Sequence, residues 1–153
     1  MRVAIVPVTP FQQNCSLVWC TNTMRGAFVD PGGDLDRLKD AMRQHGVTVE
    51  KLILTHGHID HAGQAKPLAE ELGVPIEGPH RDDEWLLDAL GDETHSFGLA
   101  GVPFKPDRWL VEGDTVTIGD LTLDTYETPG HTPGHVIFHH APSNLALVGD
   151  VLF

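Results

Sequence analysis

Residues 55–61 read THGHIDH, which places three histidines and one aspartate within six consecutive positions. The loop follows EKLIL (50–54), a short apolar segment that predicts a buried strand. Imidazole and carboxylate groups together are suited to zinc, iron or manganese. A strand that ends at the loop holds such side chains in fixed directions. We therefore interpret the loop as a metal site. In the simpler alternative, Asp60 is a helix N-cap and the histidines are ordinary polar residues of a loop.

The spacing within this loop favours two adjacent metal ions. His56 and His58 are two residues apart, so in extended chain they point to the same side and can bind one ion. Asp60 and His61 follow where the chain enters a helix, so they point elsewhere. The loop therefore divides into two pairs of candidate ligands.

Two other stretches contain further candidates. TPGHTPGHV (128–136) places His131 between two Pro-Gly turns and His135 at the start of a strand. Either histidine can complete a three-histidine set, and His135 can instead hold the loop by a hydrogen bond. LALVGD (145–150) ends in Asp150, which is either a turn residue or a bridging carboxylate. No partner spacing favours the remaining histidines as ligands, namely His45, His80, His95, His139 and His140.

Bulk properties indicate one domain, residues 1–153, of an ordinary globular protein. The formal charge of -12 argues against nucleic acid or an anionic membrane as a partner. Pro7 and Pro10 interrupt the apolar N-terminus before it reaches signal-peptide length, and no segment reaches the roughly 18 apolar residues of a membrane helix. Cys15 and Cys20 lie five apart on a predicted strand and face opposite ways. We therefore expect free thiols and a cytoplasmic location.

The periodicity of the chain predicts a mixed α/β layer protein. Helices are expected from Asp34, as N-cap, to His45, over 62–72 with a kink or restart at Pro67, and over 81–90. Residues 91–107 are expected to form a long surface loop. Strands are expected at 2–8, 15–20, 26–30, 50–56, 74–78, in a hairpin over 115–126, and at 135–140 and 144–153.

In order and spacing, THGHIDH, TPGHTPGH and the GD at 149–150 resemble the metallo-β-lactamase fold superfamily. Within it the chain is most similar to a short bacterial glyoxalase II (hydroxyacylglutathione hydrolase). The stretches that carry this closer similarity are PVTPFQQNCSLVWC (7–20), VDPGGD (29–34) and GDVLF (149–153).

The resemblance implies an αββα sandwich with two divalent metal ions between the sheets, zinc foremost, with iron or manganese as alternatives. The implied reaction is hydrolysis of S-D-lactoylglutathione to D-lactate and glutathione by a metal-activated water. A small-molecule thioester is thus the expected partner, and Asp60 the expected catalytic side chain. The implied ligands are His56, His58 and His131 for the first ion, Asp60 and His61 for the second, and Asp150 between the two.

The family pattern continues beyond the GD strand. There it supplies one more histidine, the rest of the second sheet and helix layer, and basic residues that bind glutathione. We therefore expect residues 1–153 to lack the C-terminal part of the domain, or to be a short form whose open face is covered by self-association. Two other functions stay open: a mononuclear-iron persulfide dioxygenase and a non-catalytic metal-binding domain. Lactonase and β-lactamase activities rank lower, because no residue indicates a lactone or lactam.

Overall fold

Alternating and apolar segments form two β-sheets in the computed structural model, which describes residues 1–92 and 99–150. The first sheet contains, in spatial order, β1 (Arg2–Val8), β2 (Gln13–Trp19), β3 (Arg25–Val29), β4 (Thr48–Ile53) and β5 (Ile76–Glu77). The second contains β6 (Thr115–Ile118), β7 (Leu121–Glu127), β8 (Val136–His140) and β9 (Leu145–Leu147).

Strand direction explains where the helices lie. The pairs β1–β2 and β2–β3 are antiparallel, whereas β3–β4 and β4–β5 are parallel and need crossover connections. Helix α1 (Leu35–His45) forms the first crossover, and α2 (Ile59–Ala62) with α3 (Ala65–Leu72) forms the second. A 3-10 turn (Arg81–Asp83) then leads into α4 (Glu84–Asp88). The second sheet is antiparallel throughout.

The apolar core has two parts, one on each face of the first sheet. On one face, Phe28 of β3 packs with helix residues such as Leu38 and Leu68. On the other, Val18 and Ile53 pack in one cluster with residues of the second sheet, among them Phe138. Each fully buried leucine or phenylalanine contributes roughly 1.5–3 kcal/mol. The layers are therefore helix, sheet and sheet, which agree with three of the four layers of the expected αββα sandwich. No helix layer covers the outer face of the second sheet among the described residues.

Several element boundaries differ from the sequence prediction. The helix expected over 62–72 breaks at Gly63 and Gln64 rather than at Pro67. Pro67 lies in the first turn of α3, where its missing N–H needs no partner. Asp34 occupies the N-cap position of α1, but its carboxylate makes no capping bond; it accepts from Thr9 N at 2.8 Å. The predicted N-cap position is therefore confirmed, whereas the capping bond expected of the Asp34 side chain is not formed.

Strands β4 and β9 are shorter than predicted. β4 ends at Ile53 and β9 at Leu147, so residues 54–58 and 148–150 are loops. Cys15 and Cys20 are free and buried, as expected. Residues 99–107 have no helix or strand, in agreement with the predicted loop, whereas 93–98 lie outside the described residues, His95 among them. No helix in the described part of the chain is long and apolar enough to cross a membrane.

Candidate metal centre

Three loops bring the candidate ligands together. The loop after β4 contains His56 and His58, the loop between β7 and β8 contains His131, and the turn after β9 contains Asp150. Each of these four residues offers a ligand atom, and the four atoms lie within 4.8 Å of one another. His131 Nε2 lies 3.1 Å from His58 Nδ1 and 3.0 Å from Asp150 Oδ2. We call His56, His58 and His131 the three-histidine group.

His56 is fully buried, and its neighbours determine which of its nitrogens carries the proton. Nδ1 lies 2.9 Å from Thr55 Oγ1, whose hydroxyl donates at 2.6 Å to Asp30 Oδ2. Because this hydroxyl has one proton, its oxygen accepts from His56 Nδ1–H, which leaves the lone pair on Nε2. Nε2 has no hydrogen-bond partner among the described residues and is 3.5 Å from Asp150 Oδ2. An unpartnered buried nitrogen beside other imidazoles fits a transition-metal ligand.

Asp60 and His61 form a second pair, which we call the Asp60–His61 pair. Both lie in α2, and His61 Nε2 is 3.6 Å from Asp60 Oδ2 and 3.2 Å from Asp150 Oδ2. Asp150 thus connects this pair with the three-histidine group, and the structure brings all six predicted residues together. The N-cap of α2 is His58, so the simpler interpretation of Asp60 as a helix cap is wrong.

Asp30 is a buried residue beside the candidate ligands that the sequence did not indicate. Its buried carboxylate accepts from Thr55 N at 2.8 Å, from Thr55 Oγ1 and, at 2.8 Å, from His61 Nδ1. Burial opposes ionisation, but the adjacent His61 outweighs it and lowers the pKa of Asp30. One carboxylate therefore orients His61 directly and His56 through Thr55. The sequence signal was only an aspartate at the end of β3 before Pro-Gly, which reads as a turn.

His135 holds Asp150 rather than joining the ligand atoms. Its Nε2 accepts from Asp150 N at 3.2 Å, and its Nδ1 lies 3.1 Å from Thr128 Oγ1. Gly149 adopts φ 53°, and a Cβ there would lie 2.5 Å from Thr55 Oγ1 and 2.8 Å from His135 Nε2. The turn that presents Asp150 therefore requires glycine. Of the two interpretations of His135, the structure supports the hydrogen-bonding one.

The imidazoles and carboxylates of the centre shift one another's pKa values. Burial opposes a charged His61, but Asp30 and Asp150 outweigh it and raise the pKa of His61 to about 10. The neighbouring His56 and His61 hold the pKa of Asp150 far below its usual range. Burial, reinforced by His56, lowers the pKa of His58 and brings that of His135 to about 4. The lowered pKa values keep Asp30 and Asp150 ionised and His58 neutral, as metal ligands must be, whereas His61 retains a proton that a metal ion would have to displace.

A groove of about 880 Å³ leads to Asp60, His61 and Asp150. Its walls combine apolar side chains of β1 and β9 with the polar segment 12–14 and the exposed Phe11. No lysine or arginine is among the described residues that line it. The groove can admit a substrate of small-molecule size to the Asp60–His61 pair, and its side chains bring no formal positive charge except on histidine.

The other histidines that the structure describes have local structural contacts. His45 packs against the Trp19 ring at 5.0 Å, and His80 Nδ1 accepts from Asp82 N at 3.0 Å. His139 and His140 contact Asn144 and Ser143, respectively, after the end of β8. Their exclusion from the ligand set agrees with their positions.

Comparison with known proteins agrees with this geometry. The family model of the metallo-beta-lactamase superfamily matches residues 8–153. The chain is 40% identical to the hydroxyacylglutathione hydrolase GloC of Haemophilus influenzae, over all of this chain and 73% of that protein. It is 32% identical to the probable metallo-hydrolase YqgX of Bacillus subtilis, over all of this chain and 72% of that protein. The chain thus spans about three quarters of the length of these relatives.

Two solved structures are similar over 99% of this chain and 73% of their own length. One is the B3 metallo-beta-lactamase BLEG-1, with a TM-score of 0.87 and 28% identity. The other is TTHA1623 in a di-iron-bound form, with a TM-score of 0.86 and 32% identity. From the matched family model, the relatives and the clustered histidines and aspartates, we conclude that this chain belongs to the metallo-β-lactamase superfamily, in its metallo-hydrolase branch.

Proposed function

We propose that this chain hydrolyses a glutathione thioester, converting S-D-lactoylglutathione and water to D-lactate and glutathione. The observation that carries the proposal is the convergence of the six candidate ligands on one cluster, with His56 Nε2 unpartnered among the described residues. Similarity to the Haemophilus influenzae hydroxyacylglutathione hydrolase over the whole chain supports the thioester as substrate class.

The donor atoms form two sets, one for each of two divalent ions. The three-histidine group would hold the first ion and the Asp60–His61 pair the second. Asp150 Oδ2 lies within 3.5 Å of nitrogens from both sets, so the Asp150 carboxylate would help to hold the ion in each. Three imidazoles favour zinc, and the di-iron form of TTHA1623 supports iron as an alternative. When bound, such ions polarise a carbonyl and lower the pKa of water.

The side chains of the pair have a defined part in this reaction. The Asp60 carboxylate borders the groove and accepts a proton from the attacking water. A C–O bond forms at the acyl carbon while the C–S bond breaks, and the proton passes to the departing sulfur. Asp30 keeps His61 oriented throughout, because His61 Nδ1 donates to it at 2.8 Å. The products are a carboxylic acid and a thiol, which balances the addition of one water.

The charge of the groove explains why this substrate requires the ions. A glutathione thioester is anionic, whereas the described groove lining contains Asp30, Asp60 and Asp150 and no lysine or arginine. Divalent cations are then the local positive charge that attracts the substrate. Removal of the ions should therefore weaken substrate binding as well as catalysis.

Hydrolysis of a β-lactam is the second candidate. The similarity to BLEG-1 supports it, since that structure is a B3 metallo-beta-lactamase and matches 99% of this chain. Cleavage of a lactam C–N bond draws on the same ions and the same carboxylates. The two candidates differ in the leaving group and in the shape of the substrate.

Metal analysis combined with turnover tests the proposal. The purified chain is analysed for zinc, iron and manganese, and thiol release from S-D-lactoylglutathione is measured for the wild type and for His58→Ala. We expect metal in the wild type and hydrolysis that depends on His58. A chromogenic cephalosporin, tested in parallel, measures lactamase activity.

Each alternative function has its own signature in this experiment. One iron per chain with sulfite formed from a glutathione persulfide indicates the dioxygenase. Metal binding with thioester turnover no faster than in His58→Ala indicates a non-catalytic domain. Faster turnover of the cephalosporin than of the thioester replaces the first candidate with the second. Any of these three results contradicts the thioesterase proposal.

A further inference from the structure

Asp83 is a fully buried carboxylate that lies outside the six proposed ligands. It ends the 3-10 turn Arg81–Asp83, immediately before α4. Removal of a carboxylate from water is costly unless its oxygens accept hydrogen bonds. The partners of this carboxylate therefore show what it organises.

Its hydrogen bonds reach both loops that carry the three-histidine group. Asp83 Oδ2 accepts from Gly57 N at 2.9 Å and from Thr132 Oγ1 at 2.7 Å, and Oδ1 accepts from Gly134 N at 2.7 Å. Gly57 lies between His56 and His58, whereas Thr132 directly follows His131. One side chain thus connects the two loops, which are far apart in the sequence.

The packing around Asp83 leaves little space between it and the loops. A Cβ at Gly134 would lie 2.6 Å from Asp83 N and 2.8 Å from Asp83 Cγ. A Cβ at Gly57 would lie 3.0 Å from Leu86 Cβ and 3.3 Å from Asp83 O. Both loop glycines therefore permit direct contact between the loop backbones and the segment that begins α4.

We propose that Asp83 is a positioning residue that sets the separation of His56 and His58 from His131, and thereby the affinity of the three-histidine group for its ion. All three partners are donors, and a carboxylate can accept on both oxygens, whereas an amide places an N–H against one of them. The inference rests on the proposed metal centre, because it concerns the affinity of that centre. It goes beyond the family assignment, which concerns the ligands alone.

Cobalt(II) binding tests this role without measuring turnover. Co²⁺ affinity is determined by competition with a chelator, and the visible spectrum reports the ligand geometry. Asp83→Asn should weaken Co²⁺ binding roughly 10- to 100-fold and change the visible bands, as loss of outer hydrogen bonds does at metal sites. Asp82→Asn removes an exposed carboxylate from the same turn, so affinity should stay within about twofold of the wild type.

Thr132→Val provides the milder variant if Asp83→Asn fails to fold. It removes one of the three donors to Asp83 and keeps the branched shape, so we expect a weaker effect in the same direction, about tenfold at most. Urea titration of each variant establishes that the chain is folded before Co²⁺ is added.

The outcomes separate the positioning role from the metal centre itself. If the wild type binds Co²⁺ and folded Asp83→Asn binds it equally well with an unchanged spectrum, the positioning role is wrong and the centre stands. Unchanged affinity in Thr132→Val alongside an unfolded Asp83→Asn also overturns the role. If the wild type binds no Co²⁺, both the centre and the role are wrong.

Discussion

The two halves of the proposed centre differ in how far their nitrogens are already satisfied by the protein. In the three-histidine group, His56 Nε2 has no partner among the described residues, and the facing nitrogens of His58 and His131 are 3.1 Å apart. In the Asp60–His61 pair, both nitrogens of His61 face carboxylates, Asp30 at 2.8 Å and Asp150 at 3.2 Å.

This difference indicates an order of metal affinity. An ion in the three-histidine group satisfies the buried His56 Nε2, although it also replaces the contacts of His131 Nε2 with His58 and Asp150. An ion beside Asp60 and His61 replaces the contact of His61 Nε2 with Asp150, and it must also displace the proton that the raised pKa of His61 retains. The pair also consists of two side chains, against three imidazoles in the three-histidine group. We therefore expect the three-histidine group to bind the first ion and the pair to bind the second, more weakly.

The largest effect is expected from His58→Ala, which removes one of the three imidazoles of the tighter half. Loss of the ion removes several kcal/mol of transition-state stabilisation, so kcat/KM for the thioester should fall on the order of 10³-fold. Steady-state kinetics and metal content measure this. His139→Gln changes a histidine of β8 that contacts Asn144, and it should retain wild-type activity and metal. Full activity in His58→Ala would contradict the expectation that the three-histidine group holds the more tightly bound ion.

A smaller effect on metal binding is expected from His61→Asn, which changes the Asp60–His61 pair. The asparagine amide can still donate to Asp30 in place of Nδ1, while the ligand nitrogen Nε2 is lost. The variant should keep about one ion per chain and bind the second more weakly by at least the roughly 10- to 100-fold that loss of an outer hydrogen bond costs, because a ligand itself is removed. Elemental analysis after dialysis against limiting zinc measures both. Loss of both ions would show that the halves are not separable.

The smallest effect is expected from Thr55→Val, which leaves every ligand in place. It removes the hydroxyl that accepts from His56 Nδ1 and donates to Asp30, so His56 is less firmly oriented. We expect about a tenfold loss of metal affinity, at the lower end for outer hydrogen bonds. Thr117→Val, an exposed threonine on β6, is the matched control. An equal loss of metal affinity in both variants would argue against a role for the hydrogen bonds that join Asp30, Thr55 and His56.

Much of the fold and the position of the centre could be predicted from local sequence patterns. The hairpin over 115–126, helix α1 and most strands follow from periodicity and turn residues, which act over a few neighbouring positions. His56 and His58 share a side of the loop because they are two residues apart. The two Pro-Gly turns around His131 similarly indicated a fixed loop.

The residues that support the ligands could not be predicted in this way. Asp30 and Asp83 each occur at a turn, where aspartate is common for local reasons. Their partners lie 25 to 51 positions away along the chain, so their roles depend on tertiary packing. The capping bond predicted for Asp34 is not formed for a related reason. Asp34 adopts φ 53°, and its carboxylate accepts from the distant Thr9 N instead of capping α1.

At Asp150 the sequence pattern identified the correct candidate residue but predicted the wrong secondary structure around it. The apolar run at 144–153 predicted a strand that delivers Asp150 at its end. β9 instead stops at Leu147, and Gly149 turns the chain with φ 53°. Asp150 reaches the centre through that turn and through His135, which accepts its N–H.

Anomalous X-ray diffraction from crystals grown with zinc is the sharpest test of the two-ion centre, since it locates each ion independently of activity. We expect a strong anomalous peak within the three-histidine group and a weaker one beside Asp60 and His61, both adjacent to Asp150. No peak among His56, His58 and His131, or a stronger peak beside Asp60 and His61, would contradict it.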